Sequence, residues 1–286
     1  MSNQQARCTS FTESDIHSFE PEMKIGLLAT VNPDGLPHIT LISTLKASSP
    51  TTMTWGQFTE GVSKEYIRQN PRTGFLIMSL DKEVWRGKAA FTSTCRSGPD
   101  YDFYNNQPMF RYNAYFGVHT VYNMDLVEHT GREELPMGRI ILGAVQGMAA
   151  AAFYGRKGAM PVLNGFTKKM LDKAGNLKFL AVVKEDGYPH IIPVLQAHSA
   201  GGDRVIFPLT AYGEELRALK PGPAAFFSMS LGMEDVALRG DFLGFSRIGG
   251  VKCGEIKVDW VYNPMPPIPG QVYPPVEVEP VTEFGA

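Results

Sequence analysis

The strongest constraint on the fold of this chain is that it repeats itself. LLATVNPDGLPHIT (27–40) returns as FLAVVKEDGYPHII (179–192), and Asp34, Gly35, Pro37 and His38 recur as Asp186, Gly187, Pro189 and His190 at one offset of 152 positions. FLIMSL (75–80) returns as FFSMSL (226–231), and Arg86 of WRGKAAF returns as Arg239 of LRGDFLGF. A nearly constant offset through three blocks implies a duplicated unit, and two units suit a length of 286 residues. The expected boundaries are a first domain over 1–134, a helical linker over 135–176 and a second domain over 177–286.

Within each unit, apolar and β-branched runs flank an Asp-Gly pair, a strong hairpin signal. IGLLATV, HITLISTLK, TTMTW, TGFLIMSL, EVWRGKAAFTS and HTVYNMDLVEH read as strands. EGVSKEYIRQN reads as a short helix stopped by Pro71, and 135–155 and 164–176 read as helices bridging the copies. Many short strands and few helices predict a mainly β fold with some α, with a small closed or partly closed antiparallel barrel in each copy and the two forming a pseudo-dimer. The first copy carries an aromatic insertion over 95–117, with Tyr101, Phe103, Tyr104, Phe110, Tyr112, Tyr115 and Phe116. Aromatics at this density suit a pocket lid or an oligomer contact and favour a homodimer of such chains. The Pro-rich tail after Tyr262 reads as extended surface chain.

Net charge −2 and the absence of a Lys/Arg cluster argue against a nucleic-acid partner. The polar first 25 residues do not read as a secretory signal, and 140–153 is too short to span a bilayer, so a cytoplasmic protein with no membrane partner is expected. Cys8, Cys95 and Cys253 are too few and too far apart for a metal pair or a disulfide framework. His119 and His129 lack a third ligand nearby, so no metal site is expected. There is no dinucleotide fingerprint, phosphate-binding Gly-rich loop or recognisable Ser-His-Asp set.

The ordered set resembles the pyridoxamine 5′-phosphate oxidase-like superfamily of split β-barrel flavoproteins. It consists of the Asp-Gly-x-Pro-His hairpin, Thr40-x-x-Ser43-Thr44, a strand ending Thr54-Trp55-Gly56, a helix carrying Ser63-Lys64, then Asn70-Pro71-Arg72 and a hydrophobic strand. The resemblance covers about two-thirds of the chain and is densest over 25–91. It implies two tandem split β-barrels (Greek-key antiparallel) with an FMN site between them, the phosphate held by Ser43, Thr44, Thr54, Trp55, Gly56, Gln57, Ser63 and Lys64. A helix start, hydroxyls and a cation suit a phosphate dianion. Trp55 is equally readable as core or as a flavin contact. Arg86 is readable as a barrel-closing ion pair or as a flavin or substrate contact, and Lys88 becomes Asp241 in the second copy, which makes it a functional candidate. The second copy has Glu214 and Glu215 where a gapless alignment puts Ser63 and Lys64, so its own phosphate site should be lost, leaving one FMN per chain. The expected activity is that of an FMN-dependent oxidoreductase acting on a small molecule or electron donor, with Tyr112, Tyr115 and His119 as the only nameable proton donors. The alternative is a non-catalytic cofactor-binding or electron-transfer module holding FMN, haem or a deazaflavin.

Overall fold

The computed structural model describes residues 7–20, 23–57, 61–108, 117–154, 161–264 and 269–277. The first copy contains β1 (Ile25–Val31), β2 (Pro37–Leu41), β3 (Lys46–Ala47), β4 (Thr52–Gln57), α2 (Ser63–Gln69), β5 (Arg72–Met78), β6 (Glu83–Cys95), α3 (Pro99–Asn106), β7 (Thr120–His129) and β8 (Glu133–Glu134), after a short α1 (Glu13–Ser18). Helices α4 (Met137–Phe153) and α5 (Gly165–Asp172) follow. The second copy contains β9 (Leu177–Val183), β10 (Pro189–Pro193), β11 (His198–Ala200), β12 (Arg204–Pro208), α6 (Gly213–Arg217), β13 (Gly222–Met229), β14 (Asp235–Ile248), β15 (Val251–Asn263) and β16 (Gly270–Tyr273).

The sheet orders are β2-β1-β5-β6-β7-β4-β3 and β10-β9-β13-β14-β15-β12-β11, and every pairing is antiparallel. The two orders are identical strand for strand, so the duplication seen in sequence is a duplication of fold. β2 and β3 lie at opposite ends of their order yet are joined by four residues, Ile42–Leu45. Four residues reach about 14 Å, whereas seven strands laid flat would separate their edges by roughly 29 Å. The sheet must therefore curl on itself, and β10 and β11 impose the same closure on the second copy with Val194–Ala197.

That joint corrects one expected strand. HITLISTLK does not run straight through: it breaks after Leu41, and Ser43 and Thr44 sit in a turn. The Ile42 amide donates to the Gly26 carbonyl at 2.7 Å, and the Leu45 amide donates to the Ile42 carbonyl at 3.0 Å. Only glycine permits this at position 26, where a Cβ would sit 2.3 Å from the Ile42 oxygen.

Continuous apolar strands are explained by burial on both faces. Leu28, Phe75 and Ile77 face the first barrel with Trp55, Trp85 and Tyr122, while Leu27, Leu76 and Met78 face the other copy. Leu180 and Phe226 fill the second barrel, while Phe179, Ile191 and Phe227 meet the first copy in the shared core. The copies touch closely: a Cβ on Gly74 would lie 2.2 Å from the Pro189 carbonyl oxygen. Among the described residues, no helix is long and apolar enough to cross a membrane.

Candidate functional site

Two equivalent positions exist between the copies, one under α2 and one under α6, and the chain treats them oppositely. On β2, His38 and Thr40 are two residues apart and share a face. On α2, Ser63 and Tyr66 are three apart and share a face. These faces meet: the Ser63 and Thr40 hydroxyls are hydrogen-bonded, and the Tyr66 ring is edge-on to His38 at 5.9 Å. From the second copy, Trp260 and Tyr262, two apart on β15 and stacked at 5.1 Å, approach His38 at 6.1 and 6.0 Å. Arg239 lies over the Trp260 ring at 3.9 Å. Burial, and secondarily the charge of Arg239, push the His38 imidazole down to about 3, so it is neutral at physiological pH.

At the other position the partners are different. His190 replaces His38 and is hydrogen-bonded to the Glu215 carboxylate. Arg86, only 2% exposed, donates to Glu215 at 3.1 Å, to both Glu133 oxygens at 3.1 and 3.2 Å, and to the Ile191 carbonyl at 3.0 Å. The Tyr212 ring covers this guanidinium at 5.1 Å. Tyr212 is held at φ 52°, ψ 28°, a left-handed conformation costing a non-glycine residue about 1–2 kcal/mol. Burial alone would raise the Glu215 carboxyl, but the His190 hydrogen bond and the Arg86 charge outweigh it and hold it down to about 2. Burial pushes the His190 imidazole below its ordinary value despite Glu215.

These contacts set the correspondence between the copies. Ile67 and Leu216 are both fully buried barrel residues, and the residue before each touches the hairpin histidine. Glu215 therefore stands opposite Tyr66, and Tyr212 opposite Ser63, two places from the gapless alignment. In the second copy, a tyrosine ring and a carboxylate occupy the position that Ser63 and Tyr66 border in the first. A cleft of about 1240 Å³ opens beside this filled position, but five basic and five acidic residues line it, so it offers no net attraction to an anion.

The residues singled out in the sequence separate into four places. Ser63 and Lys64 are buried at the start of α2, and Ser43 lies in the turn that follows β2. Thr44 exchanges hydrogen bonds with the Gly56 backbone at 3.0 and 3.1 Å. The Thr54 hydroxyl donates to Tyr104 at 2.9 Å, and the Tyr104 hydroxyl donates to the Thr44 carbonyl at 3.0 Å. A Cβ on Gly56 would lie 2.7 Å from Val118, so α3 and its flank cover the outer face of β4. Trp55 and Gln57 belong to a third cluster: Trp55 is in the barrel core, stacked on Tyr122 at 4.0 Å, and the Tyr122 hydroxyl donates to Gln57 at 3.0 Å. Arg86 and Lys88 lie at the α6 position, where Lys88 bridges Asp186 at 2.6 Å and Glu128 at 2.7 Å. His119 is exposed; Phe110, Tyr112, Tyr115 and Phe116 lie outside the described residues.

Tyr66, Trp260 and Tyr262 were not signalled as site residues by any motif, and Thr40 figured only as the first residue of the Thr40-x-x-Ser43-Thr44 set. The i, i+2 aromatic pair on β15 was the one available sign, and it acquires meaning only once β15 is known to face β2.

No protein-family profile and no curated protein matches the sequence. Parts of the chain are similar to solved structures. One is an FMN-binding protein from Syntrophomonas wolfei (15% identity, 41% of this chain and 80% of that one, TM-score 0.34). Another is the styrene monooxygenase flavin reductase of Pseudomonas putida S12 (12%, 40% and 85%, TM-score 0.28). A third is an F420 reductase (16%, 42% and 98%, TM-score 0.33).

Proposed function

We propose that this chain binds one flavin, FMN, between its two copies on the α2 side, and acts as an oxidoreductase on a small molecule or electron donor. The observation that carries the reading is the asymmetry of the two equivalent positions. Tyr212 and Glu215 fill one with an aromatic ring and a carboxylate, and Arg86 is neutralised by Glu133 and Glu215. The other is bordered by the small hydroxyls of Thr40 and Ser63 and by rings contributed from the second copy.

The donor set fits a flavin phosphate at one end and a flat aromatic at the other. Lys64, Ser63 and Thr40, with Ser43 beside them, would hold the phosphate through a point charge and hydroxyl donors. Tyr66, Trp260 and Tyr262 would border the ring system, and neutral His38 adds no charge there. Thr44 and Thr54 play a different part: their polar groups are satisfied by Gly56 and Tyr104, so they hold the α3 cover in place. When bound, the flavin supplies the redox chemistry, and the protein contributes binding, orientation and electrostatics.

A second reading, a non-catalytic carrier or electron-transfer module, is favoured by the same neutral His38, which offers no acid near the proposed ring position. Steady-state turnover with an added electron donor separates the two. The binding claim is tested by Lys64→Glu, which places a carboxylate against the phosphate. Its affinity for FMN, followed by quenching of flavin fluorescence, should fall at least tenfold. Unchanged affinity would remove Lys64 and the α2 side from the site.

A further inference from the structure

Arg239 is the mirror image of Arg86, but its surroundings are not. Arg86 is saturated by two carboxylates and a carbonyl, whereas the Nε and Nη1 of Arg239 are buried and have no hydrogen-bond partner among the described residues. A buried guanidinium nitrogen left unpaired is costly, so its presence requires an explanation. Burial pushes the Arg239 guanidinium below its ordinary value, with only Tyr66, Asp259 and Asp34 acting against this. Beside it lies a cavity of about 240 Å³, lined by Leu36 and Pro37 from the first copy and by Arg239, Asp241, Asp259 and Trp260 from the second. That is about eight times the liquid volume of one water.

The rim is acidic, again unlike its counterpart. At the α6 position, Lys88 pairs with the turn residue Asp186. Here Asp241 stands in the place of Lys88 and Asp34 in the place of Asp186, so that pairing is lost. Asp259 is the extra residue of a β-bulge, where β15 slips register between Arg239–Trp260 and Gly240–Val258. Bulges re-aim side chains and are frequent beside sites. Burial and the neighbouring Asp241 raise the Asp259 carboxyl, a repulsion that a cation between them would relieve.

A simple anion would satisfy Arg239 but meet two carboxylates at the mouth. A simple cation would satisfy the rim and leave the guanidinium nitrogens orphaned. We infer that this cavity binds a small zwitterion, an α-amino acid or a close analogue. Its carboxylate pairs with Arg239, its ammonium lies at Asp241 and Asp259, and its side chain rests on Trp260, Leu36 and Pro37. The inference stands on this cavity alone and does not require the flavin reading. Trp260 borders both places, so such a ligand would sit beside the proposed cofactor position.

The test is isothermal titration calorimetry of the intact protein with glycine, L-alanine, L-leucine and L-phenylalanine. Each is compared with its des-amino acid and its carboxamide. At least one amino acid should bind, and at least tenfold more tightly than either analogue. Arg239→Met should abolish this binding, and Asp241→Asn, an exposed and conservative change, should weaken it at least threefold with an unaltered thermal midpoint. Flavin content measured on the same samples separates this claim from the cofactor claim, because amino-acid binding can be lost with flavin retained, or the reverse. Binding by none of the four amino acids overturns the inference. So does a des-amino acid or a carboxamide that binds as tightly as its parent.

Discussion

Replacing Glu215 with Gln removes the charge that fills the α6 position while keeping its shape. The Glu215 carboxyl is held down from an ordinary 4.5 to about 2. A depressed carboxylate stabilises the fold above its unfolded-state value and loses that contribution as the pH falls through its folded value. The shift corresponds to about 3 kcal/mol at pH 7. The Glu215 side chain is 25% exposed, so solvent screens it only in part. The glutamine keeps an oxygen for Arg86 and His190, so the expected loss is about 2–3 kcal/mol. Urea denaturation at pH 7 should show this difference between the two proteins, and the gap should narrow to about half at pH 3, where the carboxyl is mostly protonated in the unfolded chain but still ionised in the fold. A loss below about 0.5 kcal/mol, the scale of a surface ion pair, would refute the view that Arg86, Glu215 and His190 organise the contact between the copies. A gap independent of pH would refute the electrostatic origin of the effect.

Two further substitutions test the packing around the site. Tyr104→Phe strips the Thr44 carbonyl and the Thr54 hydroxyl of a buried partner and should cost about 1–3 kcal/mol in urea denaturation, with flavin stoichiometry unchanged; altered stoichiometry would return Thr44 and Thr54 to the cofactor site. Gly74→Ala forces a methyl against the Pro189 carbonyl and should cost about 1–3 kcal/mol or more; a neutral effect would mean that β5 and β10 do not meet as closely as described.

Much of the fold was legible because its signals are local. The Asp-Gly pairs sit between apolar runs, and both glycines adopt the positive φ, 79° in each copy, that such turns require. The repeat carried the strand order from one copy to the other. The break at Ile42–Leu45 was not legible, because its residues are strand-like and its cause, the close approach to Gly26, is a contact across the barrel. The equation of Glu215 with Tyr66 was hidden for a related reason: α2 and α6 differ in length, and a gapless alignment hides a shift of two residues. The candidate site was half visible. Ser63 and Lys64 lie on one element, and the resemblance alone named them as candidates. His38 faces Trp260 only because two barrels pack face to face, and the contrast between Arg86 and Arg239 lies in their partners rather than in their surrounding motifs. The insertion, read as a pocket lid or an oligomer contact, covers β4 over its described part, where the Tyr104 hydroxyl meets Thr54 and the Thr44 carbonyl and Lys46 lies over the Phe103 ring.

The central claim is that one flavin binds on the α2 side, while Tyr212 and Glu215 fill the equivalent α6 position. The most direct measurement is the visible absorption of the purified protein, combined with identification and counting of whatever heat releases, after saturation with added FMN. The account predicts a flavin spectrum and one FMN per chain. Two per chain would mean that Tyr212 and Glu215 do not fill the second position, and a protein that remains colourless after FMN is added would contradict the flavin site altogether.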